Sequence, residues 1–574
     1  MKKILSLIAC IIACVVLTQY RVTYSEIKND QPIKVTTWDA FGYYMYLPGM
    51  FIYHDVTQLK WLPGIDKKYG VTGGDGIQAE MQKNGNYAFK YLGGVAMMEA
   101  PLFFIGDQVA KHSSYPADGF SKPYQYALSF GVLLYCLLAI FLLRYILLLY
   151  FSDLTAAITI LLVTLGTNFI QYAAIDNCQS HSYLFVLYVL VLFTTLRWHR
   201  QPHMLWAILT GYIIGLATMT RPTEAIMLFI PLLWNTHTKE VAKEKWQMVR
   251  SHRGQIIAAA IAGFIGVLPQ LLYWKHATGS FIFDVGSKWD FLNPHFRVLF
   301  GWEKGWFIYT PITMFFVAGL FFIKKYPFAK SVLWFCILNI YIVIGWHIWR
   351  YGGSYSTRAL MQSYPVFALA FAAVAEQIGT KKWRIAFYVL CAYLLGVNLF
   401  QITQYRTTTL HYDEMNRRYY AAIYLNPHPT PLDMDLLDSD EQLHSEQGFH
   451  ATILAHPDTV TQLHIPNGGN AVLYETDLTI KDNKDTWLKI EGNLKVDAGE
   501  WRSYIVADVK TGDSVKQTKI RLYNTISPEG KDNPYVFYMQ VPPYFAHSHL
   551  NVHIDHPFDF TGTLTKFRVT LLEK

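Results

Sequence analysis

Charge is the scarcest ingredient of this 574-residue chain: 16% of residues are Asp, Glu, Lys or Arg, against 52% apolar. So little charge, with the apolar residues gathered into long runs, is the pattern of a membrane protein rather than of several water-soluble domains. Cysteine is rare as well. Of the six, Cys10, Cys14, Cys136, Cys336 and Cys391 lie inside apolar runs and Cys178 lies near the end of one. The polar C-terminal part has none, so no disulfide framework is indicated. No Walker loop, dinucleotide fingerprint behind a strand, HExxH or GxSxG occurs, which removes support for nucleotide-driven transport and for ordinary soluble hydrolase chemistry. The net charge of +7 does not indicate a nucleic-acid partner, because the basic residues stand in short clusters between apolar runs.

What the chain has in abundance is segments long enough to cross a bilayer, whose core of about 30 Å takes roughly 20 helical residues. The expected spans are 4–20, 124–150, 154–173, 181–196, 204–220, 224–235, 254–274, 306–323, 329–348, 358–378 and 383–402. The first is read as an uncleaved helix rather than a signal peptide. The sixth is short, and the polar run Thr220-Arg221-Pro222-Thr223-Glu224 before it predicts a tight turn at membrane level. With Lys2 and Lys3 inside, Lys and Arg recur in every second loop: Arg144 to Asp153, Arg197 to Arg200, Lys239 to Arg253, Lys324 to Lys330 and Lys381 to Arg384. That alternation is the positive-inside pattern.

The remaining loops, above all Arg21 to Pro123 and Lys275 to Gly305, are longer and richer in Asp, Trp, Tyr, His and Gly, so chemistry is expected on the outer face. Within the first, Tyr87 to Val109 is interrupted by Gly93-Gly94, Glu99 and Pro101 and reads as helices lying on the membrane surface. From about Asn426 the chain turns polar, with period-two runs such as Leu473 to Ile480, Trp487 to Val496, Tyr504 to Val509 and Leu550 to Ile554. These predict a β-sandwich on the outer side. The expected organisation is a polytopic α-helical domain over 1–405 with a large outer loop at 21–123, a linker over 406–449, and an extracytoplasmic all-β sandwich over 450–574.

Several residues at the outer ends of these spans carry chemistry. Asp39 stands among aromatics in WDAFGYYMYLP, with Tyr43 close by; desolvation there would raise its basicity or suit it to hold a metal ion, and the plainer reading is a helix cap. The turn containing Asp176, Asn177 and His181 groups a carboxylate, an amide and an imidazole able to bind a metal or orient a phosphate, without the two-histidine spacing of zinc. Arg221 and Glu224 flank Pro222 as an ion pair or a site. In WRYGGSYSTR the two glycines allow close approach to a ligand, and Arg350 and Arg358 suit a phosphate or snorkel to headgroups. Lys304 adds a cation beside Trp302 and Trp306, rings that can stack on a sugar.

Taken in order, WDAFGYYMYLP, the long outer loop, DNCQSHSYLF, TRPTEA, KGWFIYTP and WRYGGSYSTR leading into MQSYP resemble the GT-C fold of polytopic glycosyltransferases, particularly the bacterial relatives of protein O-mannosyltransferases and of the lipid A aminoarabinose transferase. The resemblance covers 1–405 and implies a bacterial inner-membrane enzyme that moves a sugar, with inversion, from a polyprenyl-phosphate donor to a glycan, lipid or protein acceptor. It implies Asp39 as base or metal ligand, Arg358, Lys304 and Arg221 as binders of the donor phosphate, and His181 at the same cavity. Where some relatives pair two acids, this chain has Asp39-Ala40, which leaves a divalent ion and the identity of the base open. The competing readings are a transporter or flippase, which internal repeats would favour, and a noncatalytic subunit of envelope assembly.

Overall fold

The apolar runs of the first 400 residues fold into helices whose lengths sort them into two classes. The computed structural model describes residues 3–25, 34–74, 76–455, 461–466, 471–481, 484–499, 502–522, 532–556 and 559–574. Residues 26–33 and 75 of the expected outer loop therefore lie outside the described residues. Among those described, five helices are long and apolar enough to cross a bilayer: Leu5–Ser25, Lys122–Leu147, Ser180–Arg200, Arg253–Thr278 and Arg384–Arg406. Asp153–Leu165, Met204–Thr220, Pro222–Leu233, Ala329–Gly345 and Tyr364–Gly379 are apolar but shorter.

Several expected spans change form. The first helix continues past residue 20 and carries Arg21 as a buried residue, so the outer loop starts later than its charge suggests. The run 306–323 is not one helix but Trp306–Tyr309, Thr313–Ala318 and a 3₁₀ turn, Gly319–Phe321. Pro311 ends the first piece, because proline lacks the N–H that would continue the helix. The turn before the sixth span forms as expected, with Arg221 extended (φ −148°, ψ 123°) ahead of a 3₁₀ helix at Pro222–Leu228.

The expected surface helices of 87–109 differ too. Tyr87 to Phe89 is a strand, β2, paired antiparallel with β1 (Ala79–Met81). Gly94–Lys111 is one helix with Pro101 inside it. That helix runs beside the first half of Lys122–Leu147, where Gly131 leaves room for Leu102 and Gly106 for the Tyr124 backbone. Its buried Glu99 accepts from the Tyr183 hydroxyl at 2.8 Å. Burial, opposed by that hydrogen bond, raises the Glu99 carboxyl to about 8.

Small residues set the packing of the bundle. Every residue from Tyr364 to Ala375 is buried, making this alanine-rich helix the axis of the bundle. A Cβ on Gly319 would lie 2.1 Å from the Ala370 carbonyl oxygen. On Gly211 and Gly215, Cβ atoms would lie 1.9 and 2.1 Å from the carbonyl oxygens of Ala259 and Gly263, so Met204–Thr220 and Arg253–Thr278 cross in backbone contact, the small-residue packing common between membrane helices.

The loops that the basic clusters grouped together meet at one end. Arg144 and Asp153 both hydrogen-bond Ser6, at 2.8 and 2.5 Å. Tyr150 packs on Phe328 (5.2 Å between ring centroids), Trp234 on Phe328 (6.1 Å) and His199 on Trp234 (6.4 Å).

The second compact unit, Phe400–Lys574, begins inside the helix Arg384–Arg406. Its strands are β3 (His450–Ala455), β4 (Thr461–Ile465), β5 (Ala471–Thr479), β6 (Thr486–Ala498), β7 (Tyr504–Thr511), β8 (Ser514–Arg521), β9 (Asp532–Gln540), β10 (His547–Asp555) and β11 (Phe560–Glu573). They form two antiparallel sheets, ordered β5-β10-β7-β8 and β3-β11-β6-β9, with β4 also on β11. Alternate residues of both sheets, among them Leu488, Ile490, Ile505, Val509, Phe537, Leu550 and Val569, bury into one apolar core.

The segment 406–449 is not a free linker. Arg521 of β8 binds Asp438 at 2.5 Å and Glu414 at 2.9 Å, and Lys516 binds Glu441 at 2.5 Å. The polar, proline-containing composition that suggested a linker supplies side-chain partners for the sheet instead.

Candidate functional site

Asp39 enters the site on a short helix, Trp38–Tyr44, whose residues from Ala40 onward are buried. The N-cap, Thr37, makes no side-chain cap bond, and both Asp39 oxygens are directed elsewhere. Oδ2 accepts from Arg358 at 2.8 Å and Oδ1 from the Tyr91 hydroxyl at 2.6 Å, which removes the reading of Asp39 as a helix cap. Burial opposes ionisation, but the Arg358 guanidinium and then the Tyr91 hydrogen bond outweigh it and hold the carboxyl below its usual range. The expectation of raised basicity is thereby reversed: sequence shows the aromatic surroundings of Asp39 but not a cation 319 residues away.

Arg358 is held from several sides. One terminal nitrogen donates to Asp39 and the other to Gln179 Oε1 at 2.9 Å; Gln179 Nε2 donates in turn to Asp176 Oδ2 at 2.6 Å. Behind it, Gly352 has φ +67°, and a Cβ there would lie 3.2 Å from an Arg358 terminal nitrogen, so the backbone geometry and the close approach both select glycine. The expected carboxylate of the second outer turn is thus joined to Asp39 through Gln179 and Arg358. Asp176 is open to solvent. Its carboxyl is raised because the surrounding protein withholds part of the water that would solvate the charge, an effect that Arg358 and Gln179 only partly oppose.

Tyr43 donates to Ser180 Oγ at 3.1 Å and packs on Tyr91, 4.5 Å between ring centroids, bracing the residue that binds Asp39. His181 is buried, with Nδ1 2.8 Å from Gln362 Oε1. Gln362 Nε2 donates to Glu224 Oε1, and the Tyr188 hydroxyl donates to Glu224 Oε2. Because Glu224 accepts from the amide nitrogen, the amide oxygen faces His181, so Nδ1 carries the hydrogen and Nε2 is the ring's acceptor when neutral.

Glu224 is therefore not paired with Arg221. Among the described residues the Arg221 side chain makes no hydrogen bond or ion pair, although its charge is felt at His181, Glu224 and Tyr351. Lys304 is buried and donates to the Arg350 carbonyl at 2.9 Å and to the Gly352 carbonyl, bracing the two-glycine segment from below. Arg350 is exposed and lies over the Trp349 ring at 5.3 Å. Asp39, Asp176, Arg358 and Tyr43 thus gather in one network, with His181 and Glu224 in a neighbouring one. Sequence reading passed over Tyr91, which stands in no motif, and over Gln179 and Gln362, which stand inside quoted motifs without an evident charge.

The donor set does not fit a divalent ion. Arg358 occupies the space between Asp39 and Gln179, and among the described residues no group of three or more His, Cys, Asp or Glu stands close enough together to hold one.

No protein-family model and no curated protein matches the sequence. Solved structures do match at low identity. The Archaeoglobus fulgidus oligosaccharyltransferase in the apo form is 12% identical with a TM-score of 0.43, the match covering 75% of this chain and 59% of that one. ArnT from Cupriavidus metallidurans bound to undecaprenyl phosphate is 13% identical with a TM-score of 0.44, covering 74% of this chain and 68% of that one. Arabinosyltransferase EmbB from Mycobacterium smegmatis is 10% identical with a TM-score of 0.38, covering 97% of this chain and 64% of that one. An oligosaccharyltransferase and an arabinosyltransferase are thus among these neighbours by name.

Proposed function

We propose that this chain is a membrane glycosyltransferase that moves a sugar from a polyprenyl-phosphate carrier to an envelope glycan, lipid or protein acceptor on the extracytoplasmic side. In this reading the bundle makes eleven crossings and the two sheets form an extracytoplasmic sandwich. The observation that carries the proposal is the Asp39–Arg358 contact at 2.8 Å, with Asp176 joined to Arg358 through Gln179 in the same hydrogen-bonded chain. A carboxylate and a guanidinium held together at helix ends are the two charges that displacement at a lipid-linked sugar phosphate needs.

The step is a single displacement. The acceptor O–H gives its proton to a carboxylate, its oxygen bonds to the anomeric carbon with inversion, and the bond from that carbon to the phosphate oxygen breaks. Polyprenyl phosphate leaves with the bonding pair, its charge met by Arg358 and Arg221. Asp39 is the base by position. Asp176 is the second candidate, favoured by its solvent-open carboxyl and its raised proton affinity.

The test is reconstitution with lipid-phosphate sugars, scoring transfer or hydrolysis, beside a mass-spectrometric comparison of envelope glycans with and without the protein. Absence of turnover with every lipid-phosphate sugar, together with unchanged glycans, would refute the proposal.

A further inference from the structure

A cavity of about 330 Å³ lies among the loops opposite the Asp39 end of the bundle, between the ends of Ser180–Arg200, Met204–Thr220 and Arg253–Thr278 and beneath the amphipathic helix Lys239–Ser251. Its origin is the close helix crossing. Gly211 and Gly263 lie where the backbones touch, and together with Ala259 they send no long side chain into the adjoining space. The walls are almost wholly apolar, a lining that does not retain water. Lys245, at the rim, is committed to the Pro231 and Leu232 carbonyls.

On the outer side of this region Ile257 and Ile261 are exposed, an apolar face suited to lipid. Apart from Lys245, residues 197–200 and 239–253 hold six Lys or Arg, namely 197, 200, 239, 243, 250 and 253, against Glu240 and Glu244 alone. An apolar slot beside the hydrocarbon core with a cationic rim suits one kind of occupant. We infer that the cavity binds an acyl chain of an anionic phospholipid, its phosphate held by the basic rim. The site is separate from the proposed sugar-transfer centre and does not depend on that activity.

Trp198 lines the cavity and is buried, so it reports on an occupant. The intact protein is placed in bilayers of zwitterionic phospholipid doped with an anionic phospholipid carrying brominated acyl chains, and the Trp198 emission is taken as the difference between wild type and Trp198→Phe. Quenching of that component is expected, with its loss in Ala260→Phe, which fills the cavity from an exposed lining position, and its retention in Ile261→Phe, which faces lipid outside the cavity. Quenching in Ala260→Phe equal to wild type, or equal quenching by a brominated zwitterionic lipid, overturns the inference. Mass spectrometry of lipid retained through detergent purification is an independent readout: wild type and Ile261→Phe keep an anionic phospholipid that Ala260→Phe has lost, and equal retention by all three overturns it.

Discussion

Asp39 and Arg358 stand 319 residues apart in the chain and 2.8 Å apart in space. The pair joins the first outer segment to the two-glycine loop, and each partner removes an ambiguity about the other. Arg358 points inward to a carboxylate rather than outward to lipid headgroups, and Asp39 is a paired anion rather than a helix cap.

If Asp39 is the base, Asp39→Asn retains donor binding and lowers turnover by about 100-fold or more, the range expected for a lost general base. Full turnover in that variant, with Asp176→Asn inactive, transfers the role to Asp176. Steady-state kcat and KM with a lipid-phosphate sugar decide between them.

The same pair predicts an acid limb in stability. The Asp39 carboxyl is held below its ordinary value in the folded protein, so its contribution is complete above the unfolded value, about 3.9, and is lost as pH falls through the folded one. Melting temperature measured from neutral to strongly acid pH falls more steeply below about pH 4 for wild type than for Asp39→Asn. Parallel curves count against the pairing.

Gly352→Ala forces a side chain onto a backbone at φ +67° and sets its Cβ 3.2 Å from the Arg358 guanidinium. The left-handed backbone alone costs about 1–2 kcal/mol. The displaced guanidinium raises donor KM, whereas Gly254→Ala, with nothing within 4 Å of the new Cβ, leaves KM unchanged.

Gly215→Leu is expected to unfold the bundle at markedly lower temperature in detergent, because even its Cβ would lie 2.1 Å from the Gly263 carbonyl oxygen. Overpacking of this kind costs about 1–3 kcal/mol or more. A melting temperature equal to wild type would mean that the two helices do not touch there.

Much of this architecture was legible from periodicity and composition. The long helices, the turn before Glu224 and the strands from Leu473 onward follow from local pattern, because hydrophobic period is a local property. The site was legible only as candidates. Asp39, Asp176, His181 and Arg358 announce themselves by charge in aromatic or glycine-rich company. Tyr91 does not, since nothing around it in sequence says that its hydroxyl meets Asp39. The reversal at Asp39 has the same cause: proton affinity depends on a neighbour supplied by the far end of the chain. The carbonyl contacts of Lys304 were not legible, because a lysine that props carbonyls and one that awaits a phosphate look alike in sequence. The ion pairs of 406–449 with β8 were not legible, because polarity marks both linkers and docked segments.

The axial helix Tyr364–Gly379 has 16 residues, about 24 Å at helical rise, which falls short of a hydrocarbon core of about 30 Å. Left alone in a bilayer it would strand backbone ends in oil, so its stable place exists only after longer neighbours have created one. If the bundle spans a bilayer as proposed, this helix is therefore expected to depend on its longer neighbours for a stable place, and to be unstable there alone.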